Sequence, residues 1–209
     1  MNSGTVLLLA ATAMAIATVV LFNRLVLLRT RFESAFVQLD VYLMQRDEVL
    51  LRIVEKAADY MQHDSDTLTS VIQARNNARR CCENAGCDPG NDVSLDALAS
   101  AEQALFNVVV RLIQLIESYP ELKADSGVQH LQDELATVQS KVANSGQAFN
   151  DTVLSYNRLR QKFPAHIVSR AFCFREACCF IFSEPQIINN TSMDNGLSCQ
   201  SERVRKCSG

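Results

Sequence analysis

Residues 5–22, TVLLLAATAMAIATVVLF, form an unbroken apolar stretch close to the N-terminus, followed at once by Arg24, Arg29 and Arg31. At a helical rise of about 1.5 Å per residue the stretch spans roughly 27 Å, close to the hydrocarbon thickness of a bilayer. It predicts one transmembrane helix, with residues 1–23 as an N-terminal anchor. A cleaved secretory signal is the rival reading, supported by small-residue triplets such as Ala11-Thr12-Ala13 and Ala15-Ile16-Ala17. Against it, Met1 to Gly4 carry no charged side chain, and the apolar run continues past the triplets through Val19, Val20, Leu21 and Phe22. The basic residues on the C-terminal flank favour the cytoplasmic side, so the expected arrangement is single-pass in the cell membrane, N-terminus outside and body in the cytoplasm.

The chain beyond the anchor is long enough for one domain with a sizeable core, since 48% of the 209 residues are apolar and 21% charged. A formal net charge of −3 argues against a nucleic-acid partner, whose phosphates call for a basic surface. The eight cysteines include the adjacent pairs Cys81-Cys82 and Cys178-Cys179, which in the absence of a cleaved leader fit a reducing compartment.

Hydrophobic spacing of three or four residues recurs through most of the body. The first segment carries Leu25, Leu28, Phe32, Ala35, Leu39, Leu43, Leu50, Val54, Ala57 and Met61, a stripe broken only at Arg46-Asp47. The second carries Leu68, Val71, Ile72, Ala78 and Cys82, has Asp64 or Ser65 as its N-cap, and stops at Gly86. The third begins near Ser94, runs through Leu98, Ala101, Leu105, Val108, Leu112, Leu115 and Tyr119, and is closed by Pro120. A capping box from Ser126 to Gln129 opens the fourth, with Leu131, Leu135, Val138, Val142, Phe149, Val153, Tyr156, Leu159 and Phe163, ending at Pro164. The expected fold is all-α: a transmembrane helix followed by an antiparallel up-and-down four-helix bundle over residues 24–170. Length arithmetic places the first hairpin near residues 63–66 rather than at Arg46-Asp47, because the latter would drive the fourth helix into the bilayer. Helices 1 and 4 then form a stalk near the membrane, with a four-helix head beyond.

Leu39-Asp40-Val41, the Arg46 region, Val54-Glu55, Ala74-Arg75, Ala101-Glu102, the run from Glu117 to Ala124 (ESYPELKA), Leu131 to Leu135, Asn150-Asp151 and Tyr156-Asn157 give the body a pattern that resembles the LemA family of bacterial membrane proteins. The similarity covers roughly residues 20–185, and ESYPELKA is its most specific part. It departs where Phe36 replaces a usual Trp, where Leu50-Leu51-Arg52 replaces Ile-Pro-Asn, and after Pro185. The resemblance implies a single N-terminal span, a four-helix body and roles in membrane-associated complexes, with no established enzymatic activity.

Asp40, Arg46, Glu55, Arg75, Glu102 and Glu117 match the family pattern and are expected to fix helix register through paired charges. Asn150 and Asn157 lie seven apart beside Phe149 and Tyr156, and are expected to hydrogen-bond across the bundle. No catalytic, cofactor or metal residue is assigned. His63, His130 and His166 are scattered and form no His-Glu-x-x-His pair. Cys82 with Cys87, and Cys173 with Cys178, could supply a four-thiolate zinc site only if the chain after Pro164 climbs back along the bundle.

Residues 171–183 are aromatic and cysteine-rich, suited either to lie in the membrane interface, with acylation at Cys178 or Cys179, or to cap the bundle. Residues 184–209 read as a disordered tail. Two functional readings follow. One is a non-enzymatic interaction or scaffold module that needs no cofactor and whose partners are the lipid bilayer and other membrane proteins or itself. The other is a metal-dependent or redox-sensing protein, or enzyme, using Cys81, Cys82 and Cys87 with Cys173, Cys178 and Cys179.

Overall fold

The computed structural model describes residues 3–61 and 65–180. Among these residues there are six helices: α1 Ser3–Ala58, α2 Ser65–Cys87, α3 Asp92–Ser118, α4 Pro120–Ala124, α5 Ser126–Gln161 and α6 Ala165–Ala171. No strand occurs among the described residues. The long helices α1, α2, α3 and α5 make an antiparallel bundle in which α1 packs chiefly along α5 and α2 along α3.

Without glycine after Gly4 or any proline to break it, α1 runs uninterrupted for 56 residues, roughly 84 Å. It passes straight through Arg46-Asp47, and the first hairpin follows Ala58. Its N-terminal part projects from the bundle: Leu8, Leu9, Met14 and Ile16 are each about two-thirds exposed, which is unfavourable in water and natural in lipid. Thr12 and Thr18 return their hydroxyls to the carbonyls of Leu9 and Met14 at 2.9 Å, so even these polar groups are satisfied within the helix. By length and composition α1 can cross a membrane; α3 is also apolar enough, but its apolar face is engaged in the bundle core.

The helix ends depart from the expected ones for local reasons. Asn91 caps α3 by accepting from the amides of Val93 (3.0 Å) and Ser94 (3.4 Å), so α3 starts two residues before Ser94. ESYPELKA supplies an extra short helix, α4, with Pro120 at its first turn. Because α4 ends on Asp125, that carboxylate takes the Gly127 amide at 2.7 Å and becomes the α5 cap. The expected capping box therefore does not form; Gln129 reaches back to the Lys123 carbonyl instead. α2 runs one residue past Gly86, and Asp64 lies outside the described residues. α5 ends at Gln161 rather than at Pro164, since a residue preceding proline resists the α conformation. The chain then reforms as α6, which the hydrophobic spacing did not reveal.

The buried apolar residues fall into two clusters stacked along the bundle. One joins Val49, Leu50, Ile53 and Ala57 of α1 to Leu68, Leu105, Leu112 and Leu131. The other joins Leu25, Phe32, Phe36, Leu39 and Leu43 to Leu95, Leu98, Phe149, Val153 and Tyr156. Between them, on α1, lie Arg46 and Asp47.

A buried charged layer and a gripped strap

Arg46 and Asp47 project from α1 into the gap between the two clusters, where α3 supplies Glu102 and α2 supplies Arg75. Arg46, Asp47 and Glu102 are all buried. The Arg46 guanidinium donates from Nη1 to Glu102 Oε2, and from Nη2 to Glu102 Oε1 and Asp47 Oδ1, both at 3.1 Å. Arg75 Nε approaches Asp47 Oδ2 at 3.6 Å from the half-buried side. The charges alternate as Glu102, Arg46, Asp47 and Arg75, so the layer is neutral as a whole and ties three helices at one level.

Burial opposes the charge on Arg46, but the Glu102 carboxylate, reinforced by its hydrogen bond and by Asp47, outweighs it and raises the guanidinium above its ordinary value. At Asp47 burial wins, and its carboxyl is pushed above its ordinary 3.8 despite Arg46. A planar guanidinium fork held by a carboxylate permits one mutual position of α1 and α3.

The other pattern residues spread over the body. Asp40 pairs with Arg79 at 2.9 Å and accepts the Cys82 thiol at 3.2 Å. Burial and the adjacent Asp40 charge push the Cys82 thiol well above its ordinary value, keeping it a neutral thiol, a weak nucleophile and metal ligand. Glu55 and Glu117 are exposed and form no ion pair with another described residue. Sequence reading missed Asp47 and Arg79; the break in the α1 stripe was the one signal for Asp47, and it also fitted a turn.

Asn150 and Asn157 have partners other than those expected. Both face residues 174–180, an extended strap that follows α6, reverses direction and climbs back along α5. Asn157 donates to the Ala177 carbonyl (2.6 Å) and accepts the Ala177 amide (3.2 Å). Asn150 does the same for Phe180, both at 2.7 Å. Seven helical residues advance about 10.5 Å and three extended residues about 10 Å, so the two amides register with every third residue of the strap. Tyr156 donates its hydroxyl to the Arg175 carbonyl at 2.8 Å, and the Cys178 amide donates to the Gly90 carbonyl at 3.2 Å.

The strap is also packed. Ala177 and Phe180 are buried in the cluster around Phe32 and Phe149, and Phe174 packs on Phe22 with ring centroids 5.7 Å apart. Gly90, in the α2–α3 connection, leaves just enough room: a Cβ there would sit 3.4 Å from the Ala177 Cβ. Residues 174–180 thus cover the bundle, the second of the two roles weighed for the aromatic segment. Residues 181–183, and the tail from residue 184, lie outside the described residues.

This climb brings Cys178 to the α2–α3 connection, the condition set for a zinc site. Nevertheless, among the described residues no three His, Cys, Asp or Glu side chains gather to hold a metal ion. Cys82 is turned to Asp40, Cys87 and Cys173 are exposed, and so are His130 and His166; His63 lies outside the described residues.

A projecting apolar helix that continues into an antiparallel bundle, tied by a buried charged layer, defines a class of helical proteins suited to association with membranes. Within that class the chain belongs to the LemA family, whose sequence model matches residues 35–192. Among curated proteins none matches the chain.

Proposed function

We propose that the protein is a single-pass scaffold of the cell membrane, N-terminus outside and body in the cytoplasm, that binds other membrane proteins or further copies of itself and catalyses no reaction. The observation that carries this reading is the continuity of α1: the helix whose apolar part projects from the body also holds Arg46 in the charged layer, so a binding surface on the body is rigidly tied to the anchor. Family membership agrees with a membrane-associated helical protein. The charges of the layer are spent on one another, an arrangement suited to setting helix register.

The reading based on the cysteines has less support, because Cys82 is held as a neutral thiol against Asp40. Gentle cross-linking in intact membranes, followed by affinity purification and mass spectrometry, tests the scaffold. A reproducible membrane partner, or the protein itself, is expected whether or not the cysteines are replaced. Capture that disappears together with the cysteines, while the fold persists, would favour the redox or metal reading.

A further inference from the structure

The contacts that hold the strap are of an unusual kind for an intramolecular packing element. The two asparagines, Tyr156 and the Gly90 carbonyl address its main-chain groups at residues 175, 177, 178 and 180, while among its side chains Ala177 and Phe180 are fully inserted and Glu176 pairs with Arg160. This is how a protein receives an extended peptide: amide groups give affinity for any backbone, and pockets at fixed spacing select the side chains. The requirement on the occupant is a small residue facing Gly90, as Ala177 does, whose Cβ would lie only 3.4 Å from a Cβ at Gly90, and an aromatic three positions after it. A second copy of this chain meets that requirement by construction.

The way the strap leaves α6 points in the same direction. Its reversal passes through Cys173, which has a φ of 54°, the left-handed region that is strained for a residue with a Cβ. Opening this hinge relieves the strain and releases the strap as a unit of seven residues, about 23 Å when extended. In exchange between two copies every strap contact is recovered on the partner, so the cost is mainly that of bringing the copies together. We propose that the groove of α1, α5 and the α2–α3 connection is an extended-peptide site whose occupant in trans is the strap of a second copy, two bodies exchanging residues 174–180. Anchoring in one membrane would raise the effective concentration of copies, but the exchange depends only on the body.

The clearance at Gly90 supplies the test, because a Cβ–Cβ separation near 3.5–4.5 Å suits a disulfide. Two full-length chains lacking native cysteines, one with Gly90→Cys and one with Ala177→Cys, are co-expressed in membranes and oxidised. A disulfide-linked heterodimer is expected, with little dimer from either chain alone. Closure within the chain for the Gly90→Cys/Ala177→Cys double variant, with no heterodimer from the mixture, would overturn the exchange. Should the cysteine-free chain fail to fold, two differently tagged copies with native cysteines serve instead. Co-capture is expected to fall at least about tenfold in Asn150→Ala/Asn157→Ala and in Phe180→Asp, since several hydrogen bonds or a buried ring are lost. Unchanged co-capture in both would place self-association on another surface and overturn the strap exchange while leaving the scaffold reading intact.

Discussion

Glu102 illustrates how one carboxylate can matter more by its absence than by its presence. Removing it in Glu102→Ala leaves the Arg46 guanidinium buried with only Asp47 beside it, and an uncompensated buried charge costs about 3–5 kcal/mol. Denaturant unfolding should show that loss. Arg75→Ala, which removes a partly exposed guanidinium 3.6 Å from a carboxylate that Arg46 still holds, should cost below about 1 kcal/mol. Equal effects would mean that the layer does not organise around Arg46. Two acids give the pH dependence. Asp47 has a raised folded value, so the folded chain holds its proton more tightly than the unfolded one; the residue weakens the fold as pH climbs from 3.8 through that raised value. Asp125 is the reverse: the Gly127 amide, then Lys56, lower its value, so its contribution is full above 3.8 and disappears as pH falls through the lowered value. Asp125→Asn keeps a capping oxygen but cannot titrate. Its acid unfolding curve should therefore lose less stability below pH 3.8 than that of the native chain, and identical curves would remove Asp125 from the acid response.

Among the elements, the four long helices were legible because each buries one apolar stripe of helical period, from Leu25 through Ala57 in α1 and from Leu131 through Tyr156 in α5. Their ends were less so, because Asn91 and Asp125 can cap a helix as well as the neighbouring Ser94 and Ser126, each addressing amides two or three residues on, and only the folded connection decides between them. The interruption at Arg46-Asp47 was visible, yet a turn and a buried ion pair both place charges where the stripe calls for apolar residues. What separates them is Glu102, 56 residues away from Arg46. Asn150 and Asn157 could be placed on one face from their spacing, whereas their partner is main chain, which leaves no mark in the sequence of the strap. The continuity of α1 can be broken at an exposed site without touching the core. Val37→Pro should destabilise the bundle by about 3 kcal/mol or more through the lost helical hydrogen bond and the ring clash, while Val37→Ala should be nearly neutral. Thermal melts of the two variants check this, and equal melting temperatures would mean that the helix tolerates a break there.

For the whole molecule, the topology proposed above rests on Arg24, Arg29 and Arg31 following the apolar stretch. A reporter fused to the C-terminus should be active on the cytoplasmic side, and moving these three charges to the N-terminal flank should reverse it. Activity on the outer side for the native chain would overturn the orientation and leave the fold untouched. In a protein anchored as proposed, the unbroken path of α1 from Asn23 to Ala58 would add a mechanical property. Over its 35-residue rise of about 53 Å, a 10° change in the tilt of the span would swing the far end sideways by about 9 Å. Tilting is one way a spanning helix accommodates a bilayer thinner than its apolar length. The protein would then act as a lever, turning a small difference between membranes into a displacement comparable to the width of a helix.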